Sequence, residues 1–336
     1  MRPGNRQTFA FGNKRSCTDR IRQIDDTKAS GRKKMSTATI SCSKCRRPAV
    51  IFQRYSGQHL CRDHFLQDFT ARVKKSIRHH QMIEAGDTIA VAYSGGKDSG
   101  ALLHFLSTTF QDRRDLSFMA ITIDEGIAGY RDLAGPRAFA EHLGVAWHTA
   151  SFQEAYGLTM DEVVSRKGES RSCSFCGVLR RQLLNKTARD LGCTKLALGF
   201  NLDDEAQSVL MNVLRGDAAA LTRTETNKEG FLPRIRPFSA LPEREVALYS
   251  WYTVGSFADD PGCPYARSAL RGDVRSLLNE YDFGHPATKY ALMGLKEKLA
   301  GTMPPSGSAT RPCPECGEPM HETCRTCALL REVRSP

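Results

Sequence analysis

Thr88-Ile-Ala-Val-Ala-Tyr-Ser-Gly-Gly-Lys-Asp-Ser-Gly-Ala-Leu-Leu-His-Phe-Leu106 decides how the rest of the chain is read. From Thr88 to Tyr93 runs a short, nearly continuous apolar stretch, as in a strand buried on both faces. From Asp98 to about Phe110 the apolar residues continue long enough for a helix. Between them lie Ser94, Gly95, Gly96, Lys97, Asp98 and Ser99. The glycines let backbone amides approach an anion, the helix N-terminus adds positive potential, and Lys97 adds a cation. The Gly-x-x-x-x-Gly-Lys-Ser spacing of a Walker A loop is absent. A glycine turn capped by Asp98 or Ser99 is the bland alternative, and the agreement of strand, loop and helix outweighs it.

The same alternation continues outward. Phe118 to Ile123 reads as a strand ending in Asp124-Glu125-Gly126, with further strands at Val145 to Thr149 and Lys195 to Phe200. Helices are expected near 131–143, 177–191 and 203–214. The fold class is therefore α/β, a parallel sheet with helices on both faces. In such sheets ligands sit at the carboxyl ends of strands, at a switch point of the strand order. Gly199-Phe-Asn-Leu-Asp-Asp-Glu-Ala-Gln207 occupies such an end. Asp203 or Asp204 caps the following helix there, and the same position suits a carboxylate near a reacting phosphate or Mg²⁺.

The 336 residues contain no apolar run long enough to span a membrane. The basic N-terminus lacks the apolar core of a secretion signal, which makes a cytoplasmic location the expectation. The net charge of +11 is concentrated at one end, since residues 1–34 hold ten Lys/Arg against Asp19, Asp25 and Asp26. That is +7 in the tail and +4 in the rest, so any nucleic-acid surface must be a local patch. The tail is polar and without apolar periodicity, hence expected to be disordered, and Met35 is a candidate translation start.

Twelve cysteines in a chain without a secretion signal favour metal binding over disulfides. Cys42-x2-Cys45-x15-Cys61-x2-His64 and Cys313-x2-Cys316-x7-Cys324-x2-Cys327 each offer four soft ligands in two close pairs. That is the donor set of a closed zinc site folding a module too small for its own core. Arg46, Arg47 and Arg54 in the first module, and Arg311, Arg325 and Arg331 in the second, are candidate phosphate contacts or plain solvated charge. Cys173 and Cys176 stand immediately ahead of a basic helix, where its dipole and Arg171, Arg180 and Arg181 favour thiolates. Cys263 lies far along the chain in Gly262-Cys-Pro-Tyr265. Three thiolates can hold an iron–sulfur cluster with one iron free of protein ligands, while a persulfide-forming pair and a third zinc remain alternatives. Cys17 and Cys193 stand alone, Cys193 as a buried thiol.

These signals divide the chain into a tail (1–34), a zinc module (40–66), a basic helical linker (67–84), a catalytic domain (85–300), a linker (301–310) containing Met303-Pro-Pro-Ser-Gly-Ser308, and a zinc ribbon (311–330).

Ser94-Gly-Gly-Lys-Asp-Ser99 resembles the loop of the N-type ATP pyrophosphatases, which split ATP into AMP and pyrophosphate. The order of zinc module, loop, Cys173-x2-Cys176, Asp203-Asp204-Glu205, lone Cys263 and zinc module resembles the tRNA 2-thiouridine synthetases of the TtuA type, over about 40–330. Cys173-Ser-Phe-Cys-Gly-Val-Leu-Arg-Arg181 and Pro242-Glu-Arg-Glu-Val246 are family-like as well. The resemblance implies an adenine nucleotide alpha hydrolase-like core that adenylates the C2 oxygen of a tRNA uridine, followed by attack of sulfide held on a cluster. It implies Cys173, Cys176 and Cys263 as ligands of a 4Fe–4S cluster, Arg180 as the active-site basic residue, and Asp204 as the catalytic carboxylate. Ala92, the loop residues, Arg180 and Gly199 are then ATP contacts, with Mg²⁺ and two Zn²⁺ as further cofactors. Sulfur arrives as free sulfide or on a ubiquitin-like carrier, the expected assembly is a homodimer, and the wobble uridine is preferred to the T-loop uridine. Phe200 departs from the usual His, which puts that histidine's role in doubt. A cytidine-thiolating enzyme and a non-catalytic tRNA-binding scaffold are the alternatives.

Overall fold

The computed structural model describes residues 40–222, 230–255, 262–266, 270–300, 302, 311–320 and 322–335. The tail, Met35, Cys17 and Met303 to Ser308 lie outside the described residues.

The first module pairs β1 (Ile51–Gln53) with β2 (Gln58–Leu60), and α1 (Arg62–His79) leaves it directly. The linker helix therefore begins inside the module rather than at its edge. Phe65, Phe69, Val73 and Ile77 recur every four residues on the buried face of α1, and this stripe carries the helix back to Arg62.

The core follows as β3 (Thr88–Ala92), α2 (Lys97–Thr109), β4 (Ser117–Asp124), α3 (Ala134–His142), β5 (Ala146–Ser151), α4 (Phe152–Tyr156), α5 (Met160–Lys167), α6 (Ser172–Asp190), β6 (Lys195–Ala197), α7 (Leu202–Leu214), α8 (Ala218–Thr222), β7 (Arg234–Ile235), α9 (Glu243–Thr253), α10 (Leu270–Gly284) and α11 (Thr288–Leu299). The sheet order is β5-β4-β3-β6-β7 with every pairing parallel. The chain runs outward from β3 to β5 and then returns to lay β6 on the other side of β3, which makes the β3/β6 crevice the switch point.

Both faces of the sheet are covered, as the apolar character of β3 requires. Ile89 and Val91 face a core with Phe65, Phe69, Phe105, Phe238 and Tyr249, where Phe69 stacks on Tyr249 at 4.2 Å. Ala90 faces the other core with Ile121, Phe152, Phe175 and Leu179. A polar lock joins the first module to the core. The Arg72 guanidinium donates to the Tyr55 hydroxyl and to Glu245, each at 2.5 Å, and to the Tyr290 hydroxyl at 3.0 Å. Glu245 is buried and also accepts from Tyr55 at 2.9 Å, so its charge is fully paired.

The second module holds β8 (Arg311–Pro312), β9 (Pro319–Met320) and α12 (Arg325–Arg334). It packs on α5 and α6: Arg189 pairs with the buried Glu318 at 2.5 Å, Arg171 pairs with Glu332, and Arg334 donates to the Tyr156 carbonyl at 2.8 Å.

Candidate active site at the carboxyl ends of the strands

The loop after β3 turns on Gly95, whose φ is +80° and where a Cβ would stand 2.6 Å from Pro136. The Ser94 amide donates to Ser99 Oγ at 3.2 Å, and the two hydroxyls lie 3.1 Å apart, which closes the loop on the first turn of α2. Gly96 caps that helix, and Ala92, half-buried, ends the strand beneath it. From the neighbouring strand Gly199 comes so close that a Cβ there would lie 3.2 Å from the Asp98 carbonyl and the Ser99 amide. The two strand ends thus meet backbone to backbone, which is what Gly199 permits.

Carboxylates and cations then alternate across the opening. Lys97 Nζ donates to Asp98 at 2.7 Å and to Glu243 at 3.0 Å, and Arg275 reaches both Glu243 oxygens at 2.5 Å. Burial works against the Lys97 charge, but Asp98 and Glu243 outweigh it and hold its pKa above the usual lysine value. The second Asp98 oxygen, Oδ1, is buried without a hydrogen-bond partner, the kind of hard oxygen a divalent cation takes. Asp203 and Asp204 divide their work. Asp204 closes a capping box with Asn201 at 3.1 and 3.2 Å, and burial pushes its carboxyl up to about 6, with Asp98 and Glu243 adding to the shift. Asp203 is turned inward to Lys289 and accepts from the Glu243 amide at 2.8 Å, so it has a structural task.

Cys173 and Cys176 lie inside the first turns of α6, not ahead of it. The 3-10 turn Glu169–Arg171 feeds straight into the helix, with Ser172 Oγ donating to the Glu169 carbonyl at 2.7 Å. Three residues apart, the two cysteines share a helix face, Cys173 exposed and Cys176 buried. The turn Pro264–Ala266 brings Cys263 to this helix end: Ser172 Oγ donates to the Tyr265 carbonyl at 3.4 Å, and Cys173 Sγ lies 3.8 Å from the same oxygen. Tyr265 is itself anchored by its hydroxyl on Asp161 at 2.6 Å. Burial pushes the Cys176 thiol up; Arg180 opposes this, while Glu125 and Cys263 add to it. Arg180 Nη2 donates to Cys176 Sγ at 2.9 Å.

The outer quartets are tighter. Cys42, Cys45, Cys61 and His64 bring their ligand atoms within 4.8 Å of one another, and so do Cys313, Cys316, Cys324 and Cys327. Four sulfurs about 2.3 Å from a tetrahedral zinc stand about 3.8 Å apart. The Cys45–Cys61, Cys313–Cys327 and Cys316–Cys324 separations are 3.8, 3.8 and 3.7 Å, so these donor sets fit that ion. Among the described residues no third group of His, Cys, Asp or Glu gathers this closely, and Cys173, Cys176 and Cys263 form a more open set. An open trio of thiols fits a cluster, which gives each thiolate its own iron.

Phe200 stands exposed just past β6, with the Arg236 guanidinium 5.9 Å from its ring centre. The structure adds three residues that sequence reasoning gave no role. Glu125 and Glu243 occupied legible places, a strand end and the Pro242–Val246 stretch. Arg275 had no such signal, because α10 brings it to the site from a distant part of the chain.

Residues 41–66 match the N-terminal LIM domain of the 2-thiouridine synthetase TtuA, and residues 66–278 match the PP-loop domain. The chain is 35% identical to the tRNA 2-thiolation protein NcsA of Haloferax volcanii, over 88% of this chain and 100% of that protein. It is 34% identical to the cytoplasmic tRNA 2-thiolation protein 1 of Chlamydomonas reinhardtii, over 86% and 84%. Among solved structures it resembles the U34-tRNA thiolase NcsA from Methanococcus maripaludis, determined with its 4Fe–4S cluster. The TM-score there is 0.77 at 29% identity, covering 88% of this chain and 97% of that one.

Proposed function

Because this chain belongs to the PP-loop family of tRNA 2-thiolation proteins, we propose that it is a tRNA sulfurtransferase making 2-thiouridine at the expense of ATP. The observation that carries this reading is the convergence of the Ser94–Ser99 loop, Asp204 and the Cys173, Cys176 and Cys263 trio at one end of the sheet.

The loop amides and Lys97 bind the pyrophosphate part of ATP, and Lys97 exchanges Glu243 for phosphate oxygens as the nucleotide enters. Asp98 Oδ1 and Asp204 are the oxygens that would hold a Mg²⁺, which would supply positive charge to the departing pyrophosphate. The uridine O2 attacks the α-phosphorus, pyrophosphate departs, and an oxygen that was a poor leaving group becomes part of AMP. Hydrosulfide then adds at C2, and AMP and a proton leave. Arg180, next to the trio, stabilises negative charge as it develops. When bound by Cys173, Cys176 and Cys263, a 4Fe–4S cluster supplies an iron without protein ligand that carries the sulfur. The two quartets hold zinc and fold their modules.

Within the same reading the substrate is the wobble uridine rather than the T-loop uridine. Sulfur arrives as sulfide or on a carrier thiocarboxylate, the protein works in the cytoplasm, and it acts as a homodimer. Among the described residues no helix is long and apolar enough to cross a membrane. Anaerobic turnover with tRNA, ATP and sulfide tests the core of the proposal. Lys97→Ala is expected to slow pyrophosphate release and thiolation together, by about a hundredfold or more. Unchanged release in that variant contradicts the assignment, and 2-thiocytidine in the digested product favours the cytidine branch.

A further inference from the structure

Glu125 is a buried carboxylate beside the thiol trio that the proposed reaction does not use. Its place is closely determined. The Glu125 carbonyl accepts from the Met160 amide at 2.8 Å, and the Gly126 amide donates to Asp124 at 2.8 Å. At Gly126, φ is +68°, and a Cβ would stand 2.7 Å from Thr159, the residue that caps α5. The chain thus turns sharply after β4 against a rigid helix start, and the turn leaves the Glu125 side chain inside.

Two guanidiniums meet it there. Arg180 Nε approaches Oε1 at 2.9 Å as an ion pair, and Arg131 Nη1 approaches Oε2 at 3.3 Å. Arg180 extends beyond the carboxylate to Cys176 Sγ. Arg131, Glu125, Arg180 and Cys176 therefore form a line in which each member touches the next. An arginine has many rotamers, and one without a partner would swing toward solvent. Glu125 removes that freedom on the buried side and leaves Nη2 aimed at sulfur.

We propose that Glu125 is a positioning residue that fixes Arg180 against the Cys176 sulfur. The proposal rests on the reading of Cys176 as a cluster ligand. Outer partners that orient or hydrogen-bond a ligand tune the metal as well as hold it. A donor on a ligating sulfur withdraws charge from the cluster and favours its reduced form, so the Arg180 bond raises the reduction potential. Loss of the Arg180 bond lowers that potential, whereas loss of the Glu125 charge by itself raises it. If Glu125 acts through Arg180, the shift on Glu125→Gln is therefore more negative with Arg180 present than in the Arg180→Gln background.

The test uses the full chain, purified anaerobically with its iron content measured, as wild type, Glu125→Gln, Arg180→Gln and the double variant. The readouts are the midpoint potential of the cluster and thiolation turnover. Glu125→Gln is expected to keep its iron, to shift the potential more negatively than the same substitution does in Arg180→Gln, and to lose about ten- to a hundredfold in turnover. In the double variant turnover is expected to match Arg180→Gln within about twofold, as for two residues acting as one unit. Glu125→Asp keeps the charge but withdraws it by one methylene, so it isolates the loss of positioning, and its potential is expected to lie negative of wild type. A wild-type potential in Glu125→Asp, a Glu125→Gln shift that is the same with and without Arg180, or losses in turnover that multiply in the double variant, overturns the assignment. A wild-type protein without iron, or without thiolation of tRNA, instead overturns the reading beneath it.

Discussion

The outer quartets and the central trio use the same thiol chemistry but are built in different ways. Each quartet draws its donor atoms from one short stretch, with the members of each pair three residues apart, and gathers them within 4.8 Å. The trio joins two positions on α6 to one about ninety residues later, and what gathers it is the fold: the Tyr265 turn seated on Ser172 and anchored on Asp161. On the proposed reading, an ion in each quartet ties together a stretch too short for a core of its own. On the same reading the trio is the reverse case, a set of thiols that an already folded sheet and helix bring together for a cluster. Damage to a quartet should therefore appear as lost structure, and damage to the trio as lost chemistry.

The largest expected effect follows from that contrast. Cys263→Ala should reduce thiolation to background and remove the cluster's visible absorbance, while the melting temperature of the metal-free protein stays as in wild type. Cys324→Ala should do the opposite. One zinc is lost, hydrogen exchange in 311–335 rises to the unprotected rate, and binding of ATP to the distant loop is retained. If the two variants gave the same pattern, the division between ligands that build and ligands that react would fail.

A sharper test removes what docks the second module without touching its ligands. Arg189→Met leaves Glu318 buried and without its partner, and should destabilise the module by about 2–3 kcal/mol, seen in denaturant melts followed by zinc release. The smallest effect separates function from stability. Burial holds the Asp204 carboxyl at about 6, above its ordinary value, so the folded protein binds that proton more tightly than the unfolded chain. The resulting stability is full below about pH 4 and is lost as the pH rises through about 6. Asp204→Asn should thus stabilise the ligand-free protein by about 1–2 kcal/mol at pH 7.5, allowing for partial exposure, and by nothing at pH 4. Thermal melts at the two pH values check this, and a stabilisation that persisted at pH 4 would contradict it.

The sheet and its loop were legible because β3 and its glycines signal through local chemistry. The quartets were legible because spacing alone defines them. The start of α6 was not: Cys173 and Cys176 sit in its first turns because the Glu169–Arg171 turn leads into it, and Gly168 before them masks that continuity. The start of α1 was obscured in the same way by the first module's own ligands, Cys61 and His64. Arg275 and Lys289 reach Glu243 and Asp203 only through the tertiary placement of α10 and α11, which no local pattern encodes. Glu125 lay in plain view at a strand end, yet its task depends on a helix some fifty residues later.

The first turn of α9 also carries two carboxylates with different partners. Glu243 grips Lys97 of the phosphate loop, and two residues on Glu245 is clasped by Arg72 and Tyr55 of the first module's lock. One turn of α9 therefore has one side chain at the phosphate loop and another at the joint of the LIM-like module. The phosphate loop and the first module are thus moored to the same helical turn, and a change in that turn reaches both.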